Sequence, residues 1–373
     1  MIPLVRVEVG RFDYPVVGTF KFLQPGPDGR VRRPSVLVRL TDGEGYQGWG
    51  QAVPIPTWTY ETPETVESTL RTYLAPALLG ADPADLDDVH DRMNRAIRPA
   101  FSVGQPLCKA AIDLACFDLV GKRLGQPASV LLERLSGGRP AAGPPVRGTL
   151  TLSWTVASAD MGEVEAQLAE GRARGFRHFN IKVGPPQSPA FDVALARKVR
   201  AFSPEGFLWA DANTGYAPDE AIELARRLAD AGVDVLESPL PPTAIRGYQA
   251  LKRLGALPIL MDEGILSPVE AIEFAALGMF DGIALKPARN AGLFPSIAIV
   301  QALRERGLLI VGSGLTDPDL SLAAAAHLFS WAGIERPCAL NGPQFLGDRL
   351  SGEALVPAGD QLTVPRGPGL GLT

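Results

Sequence analysis

"FLWADANTGY", residues 207–216, poses the question on which the fold turns. An apolar run ends in Asp211, and small and polar residues follow at once. A buried strand that ends in a carboxylate either reaches a surface turn or presents an acid to a site. One strand does not separate these, so the deciding matter is whether the chain repeats the pattern.

It does. "GTLTLSW", "FRHFNIKVG", "GFLWADANT", "GVDVLESPL", "LPILMDEGI", "DGIALKPA" and "GLLIVGSG" are short apolar runs, each followed by a helical stretch such as "PDEAIELARRLADAG" or "PVEAIEFAALG". Strands alternating with helices of this length imply parallel pairing through βαβ units. Lys182, Asp211, Glu237, Asp262 and Lys286 end successive runs, with Gly312 at the next, at spacings of 29, 26, 25, 24 and 26. A period of this size is one strand–helix unit per step. Seven or eight such units close into a barrel more naturally than they spread into an open sheet.

The first third differs. "LVRVEVGRF" and "RPSVLVRLTDGEGYQGWGQA" alternate in period two and read as antiparallel strands, with "DGEG" as a turn. From Pro63 to Leu124 apolar residues recur at helical spacing, so this part is an α+β unit. The whole chain has 373 residues, 46% hydrophobic, enough for a barrel and an accessory unit. A net charge of −5 argues against nucleic acid or an anionic membrane as partner. Cys108, Cys116 and Cys338 are too few and too scattered for a disulfide framework or a zinc motif. The N-terminus lacks the basic flank and apolar core of a signal peptide, and no apolar stretch has the length of a membrane helix. These features give the expectation of a cytoplasmic globular protein.

In a closed barrel Asp211, Glu237 and Asp262 end three consecutive strands and meet at one rim, where barrel active sites lie. A lone acid at a strand end is more often a helix cap or a solvated turn. Three in register repel one another unless a hard cation neutralises them, and Mg²⁺ fits with its oxygen ligands. Lys182 and Lys286 flank the trio. Each alone is as well read as an ion-pair partner of the neighbouring acids. With a metal taking the acids, the lysines become bases, their proton affinity lowered by crowding cations and partial desolvation. A metal between two bases suits proton abstraction next to a carboxylate, through an enediolate.

At these residues the chain resembles the enolase superfamily, in its mandelate racemase/muconate lactonizing enzyme family and the muconate lactonizing enzyme-like branch. The resemblance spans nearly the whole chain: "KAAIDLACFDLVGKRLGQP" before the barrel, "NIK", "DAN", "ESP", "DEG" and "ALKP" at strand ends, and "LNGPQFL" near the end. It implies an α/β fold, a modified TIM barrel (β/α)₇β with an N-terminal α+β capping domain completed by the C-terminal tail. The corresponding boundaries are 1–135 for the cap, 145–341 for the barrel and 342–373 for the returning segment. It implies Mg²⁺ on Asp211, Glu237 and Asp262, acid/base roles for Lys182 and Lys286, and a homo-oligomer, dimer or octamer.

Departures from the family pattern bear on substrate. The family commonly has Lys-x-Lys on the second barrel strand, the first lysine lying behind the second and depressing its pKa; here the stretch is Asn180-Ile181-Lys182. The racemase and sugar-acid dehydratase branches place a His after the seventh strand. The three histidines here, His90, His178 and His327, lie elsewhere. Dipeptide epimerases carry Asp-x-Asp at the eighth strand, where this chain has Ala339-Leu340-Asn341. Asp317 aligns with a frequent Glu and, with Asp319, either contacts substrate or caps the helix that follows. Two cap loops, 17–27 and 54–62, are expected to form a lid. In it Phe20, Phe22, Trp58 and Tyr60 are apolar lining or plain packing residues, and Lys21 meets a second anionic group.

The substrate-binding candidates are therefore Asn180, Asn213, Asp317, Lys21 and Trp58, and the expected partner is a small-molecule carboxylate. The reading preferred at this level is racemisation or epimerisation of an amino-acid derivative by two lysines. The alternative is a muconate-type cycloisomerase or a syn-dehydratase using one lysine as base. A lesser one is a non-catalytic protein that binds a metal–carboxylate ligand.

Overall fold

The structure, a computed structural model, describes residues 1–17, 22–26, 28–137, 148–347 and 355–372. The cap opens with β1 (Leu4–Arg11), a short ribbon of β2 (Tyr14–Pro15) and β3 (Arg32–Arg33), then β4 (Val36–Asp42) and β5 (Gln47–Ala52). The sheet order β1-β4-β5 is antiparallel throughout. β4 buries every second residue, as its alternating sequence requires. α1 (Pro63–Thr69), a π-helical turn at Leu70–Leu74 and α2 (Ala75–Leu78) run on as one rod, followed by α3 (Leu86–Ala96), α4 (Pro106–Leu124) and α5 (Ala128–Leu135). α4 lies directly on β5. A Cβ at Gly48 or Gly50 would stand 2.1 Å from Ala115 O or 1.8 Å from Ala111 O, so "GWG" is what allows this approach.

The run "GTLTLSW" splits between two sheets. β6 (Thr149–Thr151) pairs with β14 (Gln361–Thr363) near the C-terminus. β7 (Trp154–Val156) is the first barrel strand. Then come α6 (Met161–Ala173), β8 (Phe179–Lys182), α7 (Pro189–Phe202), β9 (Leu208–Asp211), α8 (Pro218–Asp230) and β10 (Val235–Glu237). The series continues through α9 (Ile245–Leu254), β11 (Ile259–Met261), α10 (Pro268–Ala276), β12 (Gly282–Leu285), α11 (Leu293–Glu305), β13 (Leu309–Gly312) and α12 (Asp319–Trp331). β7 to β13 form one parallel sheet in sequence order. Single parallel bridges, Ser313 to Ala339 and Leu152 to Cys338, insert an eighth strand between β13 and the segment leading into β7.

Beyond that strand, α13 (Gly342–Phe345) carries Gln344, whose carboxamide accepts from Thr155 N at 3.0 Å and donates to Thr155 O at 2.8 Å. A side chain thus supplies the missing rung on the free edge of β7. This is the modified (β/α)₇β barrel with its N-terminal cap.

Side-chain alternation sorts the barrel interior into layers. Phe207, Trp209, Val235, Leu260, Ala284, Val311 and Ala339 form an inner cluster of their own, apart from the main core between barrel and helices. Two residues further along the same strands stand Asp211, Glu237, Asp262, Lys286, Ser313 and Asn341. The apolar layer is therefore the floor on which the polar rim rests. The tail returns to the cap: Ala128 N donates to Gly369 O, and Leu370 N donates to Asp118 Oδ1 at 2.9 Å.

Candidate active site

Strand register makes Lys182 the lateral neighbour of Asp211, and Asp211 that of Glu237. Lys182 Nζ donates to Asp211 Oδ2 at 2.5 Å. From across the mouth Lys286 Nζ donates to Asp262 Oδ2 and stands 3.5 Å from Glu237 Oε1. β8 and β12 lie four strands apart in a ring of eight, so the two lysines rise from opposite walls with the three acids between them. All five side chains are buried.

Residues that sequence reasoning passed over complete the cluster. Arg289, on the turn after β12, places Nε 3.0 Å from Asp262 Oδ1 in an ion pair, and its NH1 donates to Trp58 O at 3.2 Å. Glu263 accepts from Trp58 Nε1 at 3.1 Å and from Asn213 Nδ2 at 3.3 Å. Glu263 lay in the quoted "DEG", one residue from Asp262, and Arg289 is the residue that follows the quoted "DGIALKPA", three from Lys286. Asn213, expected to bind substrate, braces Asp211: its N and Nδ2 donate to Asp211 Oδ1 and Oδ2 at 2.9 and 3.0 Å.

Among the described residues four buried carboxylates (Asp211, Glu237, Asp262, Glu263) thus face three buried cations (Lys182, Lys286, Arg289). Burial alone pushes the Asp211 carboxyl up, but Lys182 and Lys286 outweigh it and hold it below the ordinary range. Glu237 is raised well above its usual value, by burial first and then by the charge of Asp211. Burial and the Asp262 charge likewise raise Glu263. Lys286 is subject to opposing influences. Burial pulls it down, but the carboxylates of Asp262 and Glu237 prevail and hold its ammonium above the ordinary lysine value.

No group of three or more His, Cys, Asp or Glu among the described residues stands in metal-holding geometry. Lys182 pairs with Asp211 and Lys286 with Asp262, and Arg289 pairs with Asp262 as well. Glu237 Oε1, Asp262 Oδ1 and Glu263 Oε2 nonetheless remain buried without a hydrogen-bond partner.

The lid segment 54–62 is folded down on this cluster. Trp58 stacks on Phe22 with centroids 4.7 Å apart, and Lys286 Nζ lies 4.8 Å from the Trp58 ring centre. The Tyr60 hydroxyl donates to Glu263 O, from a backbone with φ of 68°. Lys21 and Phe20 lie outside the described residues.

Asp317 is a turn residue, its Oδ2 accepting from Leu315 N at 3.0 Å and its Oδ1 from Ser321 Oγ at 2.6 Å. α12 begins without a side-chain cap, and Asp319 stands beside Tyr14. Asn180 sits one layer below Lys182, accepting from Thr155 Oγ1 at 2.9 Å and Ser153 Oγ at 3.3 Å. The histidines are structural: His90 meets Asp113, His178 Nδ1 accepts from Phe207 N, and His327 meets Leu370 O.

Residues 28–133 match the mandelate racemase/muconate lactonizing enzyme N-terminal domain, and residues 163–373 match the enolase C-terminal domain-like family. A chloromuconate cycloisomerase of Pseudomonas putida is 32% identical over 87% of this chain and 84% of its own. Muconate cycloisomerase 1 of the same species is 30% identical over 91% and 87%. The structure of muconate lactonizing enzyme from Pseudomonas fluorescens complexed with muconolactone superposes with a TM-score of 0.89 at 26% identity, covering 100% of this chain and 96% of the other. These relatives favour the cycloisomerase alternative over racemisation. The chain belongs to the mandelate racemase/muconate lactonizing enzyme family and is an isomerase of the enolase superfamily.

Proposed function

We propose that this isomerase transfers a proton at the carbon beside a substrate carboxylate, in a cycloisomerisation of the muconate type. The observation that carries the reading is the pair of buried lysines on opposite walls with three carboxylates between them. In this reading Asp211, Glu237 and Asp262 hold a divalent cation. The donors are hard oxygens, which suit Mg²⁺. The excess of carboxylates over cations supports that fit, as do Glu237 Oε1 and Asp262 Oδ1, which have ion-pair neighbours but no hydrogen-bond partner. A bound Mg²⁺ would polarise the substrate carboxylate and spread the charge that develops at its α-carbon.

The chain's own groups do the rest. In ring closure the substrate's second carboxylate forms a C–O bond to the double bond conjugated with the first, and one lysine Nζ gives a proton to the α-carbon; ring opening takes that proton back and breaks the C–O bond. The lysine on the far wall stays protonated as a cation beside the carboxylate. The lid, through Trp58 and Tyr60, excludes water and keeps both charges strong. Asn213 and Glu263 fix Asp211 and the lid.

The diametric placement also favours a second reading, two-base 1,1-proton transfer. Lys182→Ala and Lys286→Ala separate the two, with deuterium uptake at the α-carbon of muconolactone and of N-acyl amino acids as the readout. One-base cycloisomerisation predicts that one variant loses exchange by about 10²–10⁴-fold and the other keeps most of it. Two-base transfer predicts that each variant loses exchange with one enantiomer. Glu237→Gln should weaken Mg²⁺ binding, read by calorimetry, while leaving the circular dichroism spectrum unchanged. Retained affinity in that variant would remove Glu237 from the metal site.

A further inference from the structure

Lys286 is gripped from two sides. On the barrel side its Nζ donates to Asp262 Oδ2 and stands 3.5 Å from Glu237 Oε1. On the lid side it lies 4.8 Å from the centre of the Trp58 ring, a ring that is also stacked on Phe22. One ammonium therefore serves both the carboxylates of the centre and the lid, through ion pairs below and a cation–π contact above.

The other ties of the lid run to the same neighbourhood. Trp58 O accepts from Arg289 NH1, and Arg289 Nε is 3.0 Å from Asp262 Oδ1. Trp58 Nε1 and the Tyr60 hydroxyl donate to Glu263, the residue after Asp262. Tyr60 makes its bond from left-handed backbone, with φ of 68°, a conformation that a residue with a Cβ holds under strain. The lid is thus fastened to the charged centre, and its fastening is not free of cost.

Asp262 Oδ2 and Glu237 Oε1, the oxygens beside Lys286, belong to two of the three carboxylates assigned to the cation above. A divalent cation attracts a carboxylate twice as strongly as an ammonium does at the same distance. Lys286 must then give way, and the open direction is towards the mouth, where the indole already lies. The same cation weakens the hold of Asp262 on Arg289, so both cationic ties of the lid lose their anchor. We infer that the cation and the Lys286 ammonium compete for these oxygens, and that cation binding thereby unlocks the lid, so that the cation enters before the substrate. Coupling of this kind is reciprocal: whatever frees Lys286 from the lid must tighten the binding of the cation. The inference rests on the cation site proposed above and adds to it an order of events.

Hydrogen exchange of the lid peptide, residues 54–62, tests it on protein without metal and protein saturated with Mg²⁺, with calorimetry on the same samples. In the wild type Mg²⁺ should speed exchange in the lid by about fivefold or more, while α4 and the barrel helices keep their rates. Lys286→Met has no ammonium to displace, so its lid should exchange at the same rate with and without Mg²⁺, within about twofold. Trp58→Ala releases Lys286 from above and should bind Mg²⁺ about fivefold or more tightly than the wild type.

Lid exchange in the wild type that Mg²⁺ leaves unchanged or slows overturns the inference, and this comparison needs neither variant to fold. A full lid response in Lys286→Met overturns it as well, since the ammonium is then not what transmits it. The two readings fail separately. No heat of Mg²⁺ binding removes the cation site and the competition together, whereas binding without a lid response removes the competition alone.

Discussion

Glu61 closes the lid segment and reaches the start of α4, where its carboxylate accepts from Leu107 N at 2.7 Å and Cys108 N at 3.3 Å. Burial pushes this carboxyl up to about 7, against the opposing bonds from the Cys108 thiol and the Leu107 amide. An acid whose folded pKa is raised adds stability that is complete below its unfolded value and lost as pH climbs through the folded one. The window here runs from about 4.5 to about 7. Glu61→Gln should remove this slope, so its stability relative to the wild type should improve between those limits by on the order of 3 kcal/mol at most. Urea unfolding of both proteins at matched pH checks it, and parallel curves would show that Glu61 does not titrate there. At this scale Asp211, Glu237, Asp262 and the two lysines were legible, because a strand end fixes which way a side chain faces. Glu61 was not, since its partners lie more than forty residues further on and only the folded chain brings them near. Asn213 and Asp317 were legible as polar residues at the mouth but not as braces, because a carboxamide or carboxylate beside a turn serves either purpose.

α11 is started by a residue of another element. Asp113, inside α4, accepts from Leu293 N at 2.6 Å and from Phe294 N, so a cap helix satisfies the free amide groups of a barrel helix. Gly292 makes room for it, with φ of 122° and a Cβ position 2.3 Å from the Asp113 carboxyl. Gly292→Ala should therefore cost about 2–4 kcal/mol, from strain and from displacement of that carboxylate. Thermal unfolding measures it, and a shift in melting temperature below about 2 °C would show that the loop gives way freely. α11 follows the turn that carries Lys286 and Arg289, so the same change should slow α-proton exchange as well. The repeat of strand and helix was readable because each unit has nearly the same length, which makes the period visible without any contact. The eighth strand escaped such reading. It consists of single bridges completed by the Gln344 carboxamide, and a side chain acting as a strand neighbour leaves no periodic trace. The π-helical turn at Leu70–Leu74 was hidden too, because apolar spacing runs through it unbroken.

Across the whole molecule, one buried guanidinium bonds main-chain groups of cap and barrel together. Arg33 is wholly buried and donates to five main-chain carbonyls, those of Pro34, Val53 and Pro54 in the cap and of Leu315 and Thr316 after β13. Burial lowers it to about 10, against the nearby Asp317 charge. Lysine has no fork to span both sides, and methionine has no donor. Arg33→Met should cost about 3 kcal/mol or more in carbonyls left unpaired, and Arg33→Lys should recover only part of it. Urea midpoints of the three proteins give the order, and equal midpoints would show that water replaces the guanidinium. The two-part architecture was legible from the change in strand pattern, whereas the seam was not, because an arginine that serves only carbonyls has no charged partner to betray it.

The bond from Leu370 N to Asp118 joins residues 252 positions apart. During synthesis α4 leaves the ribosome long before the tail that completes its packing. At roughly 5–20 residues per second, the wait is on the order of ten to fifty seconds. Over that interval the first third has its helices but not their last covering strand of chain, and the barrel must be made before the cap can close. Birth order and closing order are therefore opposed: the part of the chain translated first is the last to be sealed.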